Sequence, residues 1–587
     1  MSIHDQTVAA AANLAQSGQF QQAAPMLRQV LAAEPGHPDA NRVMGLILFQ
    51  TGQAQQGLAL VERAIEAAPA RGDLRFLHGS MLAWMGRLDA AIDTLKRGLE
   101  AEPQNAQAHA LLATCYMQAR DLDRAEHEYK AALDLDPNHP EARTNYAAVL
   151  NTLGRPQEAV AILRETAAMH PRHPGVLTNY SVALNYAEGV DPEETLRAHA
   201  QYGQVLMSLP GQPQTTWPNP RDPSKKLRVG IVSPDLWEHS VGYFVRALLE
   251  SRDKKQVEYI IYATAARNDA VAHRIAAAAD ASRDVSRAND QQLLQQIRQD
   301  QVDILLELSG QTQGNRLSAL RLRGAPVQAT YIGYPNTTGV PTIDYRIVDS
   351  LTDPPGAERL ATEKLIRLDP CFLCYTPPHN TPEPAPPPCL AQDHTTFGTF
   401  NALKKITPGT VALWARVLHE VPRSRLVIKA GGLESPRARD HLAAILKNQG
   451  IPEVRFDLLG KTESKLDHFE AYSHLDIALD TLPYNGTTTT CEALWMGVPV
   501  VTRIGQVHAA RVGLSLLSAV GLRDLAAGSD DDFIAIARRL AADRDRLTSL
   551  RETLRLRMTA SPLCDAPRFA RRFEAALRQM WSAWCTA

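Results

Sequence analysis

Five prolines, Pro35, Pro69, Pro103, Pro137 and Pro171, stand 34 residues apart along the first third of the chain. Gly18, Gly52, Gly86 and Gly154 follow the same register, with Arg120 in the remaining slot, and Ala23, Gly57, Ala91, Ala125 and Ala159 repeat it again. A period of this length with a small residue at one fixed place and proline at another leaves little choice of fold. Each unit is a pair of antiparallel helices: the small residue sits where the two cross, and the proline ends the second. No unit buries its apolar face alone, so the units must stack.

This is the tetratricopeptide signature, and five repeats are clear. A sixth, from Arg172 to Leu209, is interrupted by an insertion around Glu188 to Pro192 and reads as a capping unit that docks on the next domain. Residues 1–209 are therefore expected to form a superhelix whose concave wall binds extended peptide or protein. Asn145 and Asn179, 34 apart on the first helices of their repeats, are placed to grip a peptide backbone, although ordinary solvated positions account for them as well.

With 587 residues the chain exceeds what one core can serve. A net charge of −2 and the lack of a basic tract argue against nucleic acid or an acidic membrane surface as the main partner. The first residues, MSIHDQTVAAAANLAQ, have neither a basic segment nor a long apolar core, and no run approaches the length of a membrane span. The expectation is a cytoplasmic protein. Cys371 and Cys374 form a CxxC without a second pair at zinc-ribbon spacing, so the seven cysteines read as reduced thiols.

Residues 210–226 read as a linker rich in Pro and polar residues. Beyond it the pattern changes to strands alternating with helices: LRVGIVSPD (227–235), VEYIIYAT (257–264), DILLELSG (303–310) and VQATYIGYP (327–335). A proline-rich interruption at 375–394 separates these from TTFGTFN (395–401), RLVIKAG (425–431), VRFDLLG (454–460), DIALDTLP (476–483) and PVVTRIG (499–505). Both sets predict parallel, doubly wound sheets, so that 227–374 and 395–587 are two Rossmann-like halves with a cleft lined by their strand ends. The stretch from Asp530 to Trp584 reads as long helix whose end crosses back onto the first half.

Chemistry belongs in the loops after the strands. In DIALDTLPYNGTTTTCEALWMGVPVVT (476–502) a strand turns through Pro483, Asn485 and Gly486 into a helix opened by threonines. Such a helix aims unpaired N–H groups and its positive dipole end at an anion, with Thr487, Thr488 and Thr489 adding hydroxyls, although Thr487 as a plain N-cap fits equally. Lys405, just before the helix start at Thr407–Pro408, can supply positive charge to a diphosphate leaving group, and spacing alone does not separate it from Lys404. Lys465 and His468 share a helix face suited to base and ribose, unless Ser464 merely caps that helix, and Glu492 can accept from ribose hydroxyls, although a solvated helix glutamate would look the same. His239 follows the first strand of the first half, where an imidazole titrates near neutral pH, although a lone histidine in a loop is usually structural or exposed. GYPNTTG (333–339), with Tyr334 and Pro335, forms a tight turn able to touch a bound group, and His508 and Arg511 lie within reach of phosphates. No DxD stands at a strand end, so no metal is expected, and no cofactor beyond a nucleotide-sugar substrate.

With the repeats, two Rossmann-like halves, and FNALKKITP, KLDHF and YNGTTTTCEALWMGVPVVT in order, the whole chain resembles the O-GlcNAc transferase family, glycosyltransferase family 41. The resemblance implies an α + α/β chain: a tetratricopeptide-repeat superhelix followed by a GT-B glycosyltransferase. It implies inverting, metal-independent transfer of N-acetylglucosamine from UDP-GlcNAc to Ser or Thr of protein acceptors held by the repeat groove. By motif position it makes Lys405 the diphosphate lysine, Lys465 and His468 ribose and base contacts, Thr487–Thr489 the phosphate-binding segment, Glu492 a ribose contact, and His239 the histidine often proposed as base, the donor phosphate being the alternative. The animal enzymes have His-Thr-Thr where this chain has Thr487-Thr488-Thr489, and Gln at Ala402. GTTTTCEALWMGVP and YIGYPNTTGVPTIDY look more like the plant SPINDLY branch, which the resemblance links to GDP-fucose. A protein O-fucosyltransferase, an Asn-directed glucosyltransferase of a neighbouring family and a repeat scaffold with a vestigial sugar-nucleotide domain are the alternatives.

Overall fold

The computed structural model describes residues 2–378 and 380–587. They form two compact units, Met1–Leu150 and Asn151–Ala587. The first is a run of helical hairpins, Ile3–Gln16 with Phe20–Ala33, Pro38–Gln50 with Ala54–Ala67, Gly72–Trp84 with Leu88–Ala101, and Ala106–Gln118 with Leu122–Leu135. The registered glycines are used at the turns, where Gly18, Gly52 and Gly86 have φ of 73°, 88° and 75°. Arg120 takes the same left-handed conformation at φ 63° despite its side chain, so the turn is imposed by the stacking of the hairpins and not by glycine alone. Where the second pair of helices crosses, a Cβ on Gly57 would lie 2.5 Å from the carbonyl oxygen of Gly45, and Ala23, Ala91 and Ala125 are fully buried at the equivalent places.

The second unit opens with Pro156–Met169, Pro174–Leu184 and Pro192–Ser208. The repeat period runs to 209, but these helices pack with the α/β residues. Periodicity is a local property of the sequence, whereas a packed unit is set by contacts far apart in it. The last helix approaches the first half so closely that a Cβ on Gly203 would fall 1.7 Å from the oxygen of Gly339.

The first half is a parallel sheet of β1 (Leu227–Ser233), β2 (Val257–Ala263), β3 (Ala281–Asp284), β4 (Ile304–Glu307), β5 (Val327–Thr330), β6 (Tyr345–Val348) and β7 (Lys364–Arg367), in the order β3-β2-β1-β4-β5-β6-β7. The second contains β8 (Thr395–Thr399), β9 (Ser424–Lys429), β10 (Phe456–Leu459), β11 (Ile477–Leu479), β12 (Val500–Arg503) and β13 (Ala526–Ala527), in the order β10-β9-β8-β11-β12-β13. The central strands match the apolar runs of the sequence. β3, β6, β7 and β13 are not among those runs; they are short, and β3 and β7 are half-exposed edge strands without an apolar run to mark them.

The C-terminal stretch is three helices and not one: Asp530–Ala542, Arg544–Thr559 and Ala566–Thr586. Asp543 and the segment around Pro562 break the pattern. The last helix does return to the first half: Phe573 meets Tyr331 edge-on at 5.1 Å, the Trp581 indole N–H donates to the Asp222 carbonyl at 2.9 Å, and Glu574 accepts from the Asp253 amide at 2.9 Å. Among the described residues no helix is long and apolar enough to cross a membrane.

Candidate functional site

The strand order of the second half reverses direction between β8 and β11, which are neighbours in the sheet. Loops leaving two such strands diverge and open a crevice at their carboxyl ends. Lys405 follows β8 and the threonine helix, Thr488–Trp495, follows β11, so topology alone puts them side by side.

Thr487 occupies the N-cap position, but its side chain makes no capping hydrogen bond. The N–H groups of Thr488, Thr489 and Thr490 lack intrahelical acceptors by construction. The Thr488 hydroxyl is buried without a partner, while Thr489 donates to the Asn401 side chain at 2.9 Å. The turn into the helix is held by Asp480, whose Oδ1 accepts from the Gly486 amide at 2.7 Å and whose Oδ2 accepts from Thr502 at 2.7 Å. Gly486 has no room for a side chain: a Cβ would stand 2.6 Å from Thr489 Oγ1 and 2.8 Å from Thr490 Oγ1.

The Lys405 ammonium donates to the carbonyl of Asn485 at 2.8 Å and lies 3.7 Å from the centre of the Tyr484 ring. Burial, aided by repulsion from Lys404 and opposed by Asp480, pushes it down to about 7. The two lysines that spacing left equivalent are thereby distinguished: Lys404 turns its ammonium to the Tyr186 ring at 4.3 Å.

His468, on the helix Lys465–Glu470, accepts at Nδ1 from Lys429 at 2.7 Å and donates from Nε2 to Glu492 at 3.0 Å. The Tyr472 hydroxyl donates to Glu492 at 3.4 Å, and Phe400 packs on Tyr472 at 4.4 Å. Burial pushes the Lys429 ammonium down while Glu492 pulls it up. His468 and Glu492 are thus brought together, and Lys429, Tyr472 and Phe400 complete an aromatic and charged cluster that sequence reading missed. Lys429 ends the apolar run of β9, a position where the next loop begins, and that place is the signal that would have found it. Lys465 points elsewhere, to the first half, where it contacts the Tyr243 hydroxyl and stands 3.4 Å from Glu238.

His239 caps the helix Ser240–Glu250, its Nδ1 accepting from the Val241 amide at 3.3 Å. Asp235, at 3.9 Å, is too far to hold that nitrogen as a donor. Burial, opposed by Asp235, lowers its affinity for a second proton. The ring is therefore neutral near pH 7 with its hydrogen on Nε2.

Three expected residues, Tyr334, Pro335 and His508, lie apart from this crevice. The Tyr334 hydroxyl is enclosed by the last repeat, donating to His199 Nε2 at 2.8 Å and accepting from Asn185 Nδ2 at 2.9 Å; His199 Nδ1 donates to the Thr195 carbonyl at 2.6 Å, which leaves Nε2 as the acceptor, and burial pushes the imidazole down to about 4. His508 is buried against Asp353 of the first half at 2.5 Å, and Asp353 also meets Arg346 at 3.5 Å. Pro335 and His508 line a cavity of about 70 Å³ with Pro483 and Asn336. Their partners, about 150 residues away, are invisible to local reading. Arg511 donates to the carbonyls of Leu351 and Gly505, and Asn179 to that of Gly175 in its own helix. No group of three His, Cys, Asp or Glu side chains placed to hold a metal ion occurs among the described residues.

A model of tetratricopeptide repeats matches residues 14–80, 82–129 and 116–178. Among curated relatives, a probable UDP-N-acetylglucosamine–peptide N-acetylglucosaminyltransferase SPINDLY of Petunia hybrida is 43% identical over 405 residues, covering 68% of this chain and 43% of the relative. The corresponding SEC protein of Arabidopsis thaliana is 29% identical, over 67% of this chain and 41% of its own. The chain thus spans under half the length of these curated relatives. A solved structure, a lysine-to-methionine mutant of Thermobaculum terrenum O-GlcNAc transferase, superposes with a TM-score of 0.81 at 34% identity, over 88% of this chain and 98% of that one. The model of Glycosyl transferase family 41 matches residues 195–376 and 388–573, and with the repeats and two parallel sheets in place the chain belongs to that family, a GT-B fold preceded by a tetratricopeptide array.

Proposed function

We propose that the protein is an inverting protein O-glycosyltransferase that moves a sugar from a nucleoside-diphosphate donor to Ser or Thr of a protein acceptor. The observation that carries this reading is the crevice between β8 and β11: an uncapped helix N-terminus, an unpartnered Thr488 hydroxyl, and a lysine held on a neighbouring carbonyl with its charge suppressed by burial. These are the donors a departing diphosphate needs, and none of them reorganises much when it forms. Lysine and helix dipole, in place of a metal, carry the diphosphate charge. Glu492, His468 and Lys429 offer hydrogen bonds to the nucleoside, with Phe400 and Tyr472 as its walls.

The acceptor hydroxyl attacks the anomeric carbon as the bond to the diphosphate breaks, and its proton goes to a phosphate oxygen of the donor. His239 is the hydrogen-bond donor of this step rather than its base, because Nδ1 is occupied and Nε2 carries the hydrogen. The repeats supply the acceptor polypeptide.

The donor sugar proposed is N-acetylglucosamine from UDP-GlcNAc, as the names of the relatives describe those proteins. A second reading, fucose from GDP-fucose, rests on the SPINDLY-like motifs GTTTTCEALWMGVP and YIGYPNTTGVPTIDY and on the GDP-fucose link that resemblance implies, with 43% identity to SPINDLY against 29% to SEC. Calorimetric titration with UDP and with GDP, followed by labelling of lysate proteins from each sugar nucleotide, separates the two. A chain that binds neither nucleotide and labels nothing is a scaffold, and the reading falls.

A further inference from the structure

The loop that carries Lys405 is held from outside its own half. Gly154, at φ 79°, admits Leu403 so closely that a Cβ there would stand 3.0 Å from Leu403 Cγ. Tyr186, just before the insertion that interrupts the last repeat, stacks on Tyr484 with centroids 5.2 Å apart and planes 26° from parallel. Lys404 sits 4.3 Å from the Tyr186 centroid and Lys405 sits 3.7 Å from that of Tyr484, so four residues form one chain of contacts: ammonium, ring, ring, ammonium. Two residues further on, Glu188 Oε1 accepts from the amides of Gly409 at 2.7 Å and Thr410 at 3.3 Å, where the helix Pro408–Glu420 begins. A Cβ on Gly409 would stand 2.6 Å from that oxygen.

These contacts do more than pack a repeat against a domain. Lys405 has a flexible four-carbon stem, and the interactions that fix its ammonium are the Asn485 carbonyl and the face of Tyr484. Tyr484 is held in turn by Tyr186, and the backbone following Lys405 by Glu188. An insertion that merely ended the repeat would not need an aromatic ring and a carboxylate aimed at the same short loop.

We propose that Tyr186 and Glu188 are positioning residues for the diphosphate-binding lysine, so that the last repeat forms part of the catalytic apparatus as well as of the acceptor surface. The inference rests on the reading of Lys405 given above. It predicts that the insertion affects binding of the bare nucleoside diphosphate, with no acceptor present.

The test uses the full chain and calorimetric titration with UDP and GDP. Tyr186→Ala is expected to weaken whichever of the two the wild type binds by about tenfold, the size of an aromatic and cation–π contact. Tyr186→Phe, which keeps the ring, is expected to recover it to within about twofold. In a Lys405→Met background Tyr186→Ala should add nothing, because the group it positions is gone. Undiminished affinity in Tyr186→Ala, or an equal loss in both backgrounds, overturns the proposal. Should Tyr186→Ala fail to fold, Glu188→Ala, at a partly exposed loop position, is expected to weaken binding about threefold in the wild-type background alone, and no change there is equally fatal. If Lys405→Met itself binds like wild type, the lysine reading has failed; if it is weakened and Tyr186→Ala is not, only the positioning role has.

Discussion

Lys405 makes a measurable demand on pH. Its ammonium is pushed down to about 7 by burial and by Lys404, with Asp480 opposing. A diphosphate bound at the threonine helix needs the charged form. In the free protein that form predominates below the lysine's own pKa and is lost as pH rises through it, so the apparent dissociation constant for a nucleoside diphosphate grows as one plus the ratio of neutral to charged lysine. Between about pH 6 and pH 8 this ratio climbs from about 0.1 to about 10, a roughly tenfold loss of affinity or about 1.4 kcal/mol. Ionisation of the ligand's terminal phosphate near pH 6 works in the opposite direction, but it does so in every variant. The assay is therefore the difference between wild type and Lys405→Met, titrated with UDP and GDP in buffers of contrasting ionisation enthalpy. Wild type should take up about one extra proton per ligand at pH 8, and the variant none. In turnover the same substitution should cost a hundred- to a thousandfold, about 3–4 kcal/mol, as loss of one donor to a developing anion does. Equal pH slopes in the two proteins, or turnover of Lys405→Met within a few-fold of wild type, would refute the reasoning.

Gly486→Ala forces a methyl group to within 2.6 Å of Thr489 Oγ1, so the turn before the helix must shift; nucleoside diphosphate binding is expected to fall at least tenfold, with a loss of about 1–3 kcal/mol in urea unfolding. Thr488→Val removes a buried hydroxyl that has no partner, and should leave the melting temperature unchanged or raised while weakening UDP or GDP about tenfold, the worth of a hydrogen bond to a charged group. Asp353→Ala strands Arg346 and His508 between the halves and should cost about 3–5 kcal/mol of stability. Burial raises the Asp353 carboxyl, but His508 and Arg346 together outweigh it and hold the group well below its ordinary range. Its contribution is therefore complete above that range and disappears as pH falls through the lowered value, which acid unfolding of wild type and variant will compare.

The repeats were legible because their signal is periodic and local; even the insertion at Glu188–Pro192 stood out against a fixed spacing, and it proved to touch the Lys405 loop. The threonine helix and Lys405 were legible because Gly, Pro and Thr punctuate a strand–turn–helix, and sheet topology then forces their adjacency. Lys429 closes an apolar strand that reads as core, and its meaning comes from His468, 39 residues away. Tyr334 and His508 look in sequence like ordinary loop residues of a cleft, yet each is engaged in a contact that only tertiary structure creates. The break of the C-terminal stretch into three helices was written in Asp543 and Pro562, but amphipathic spacing on both sides concealed it.

Because the helix Ala566–Thr586 returns to the first half, the polypeptide passes between the two Rossmann-like halves twice, once outward through the proline-rich segment and once back. A single strand would permit the halves to twist about each other in any direction. The two crossings lie side by side, joined where the Tyr375 amide donates to the Leu563 carbonyl at 2.7 Å, and together they tie the halves more closely than one strand would.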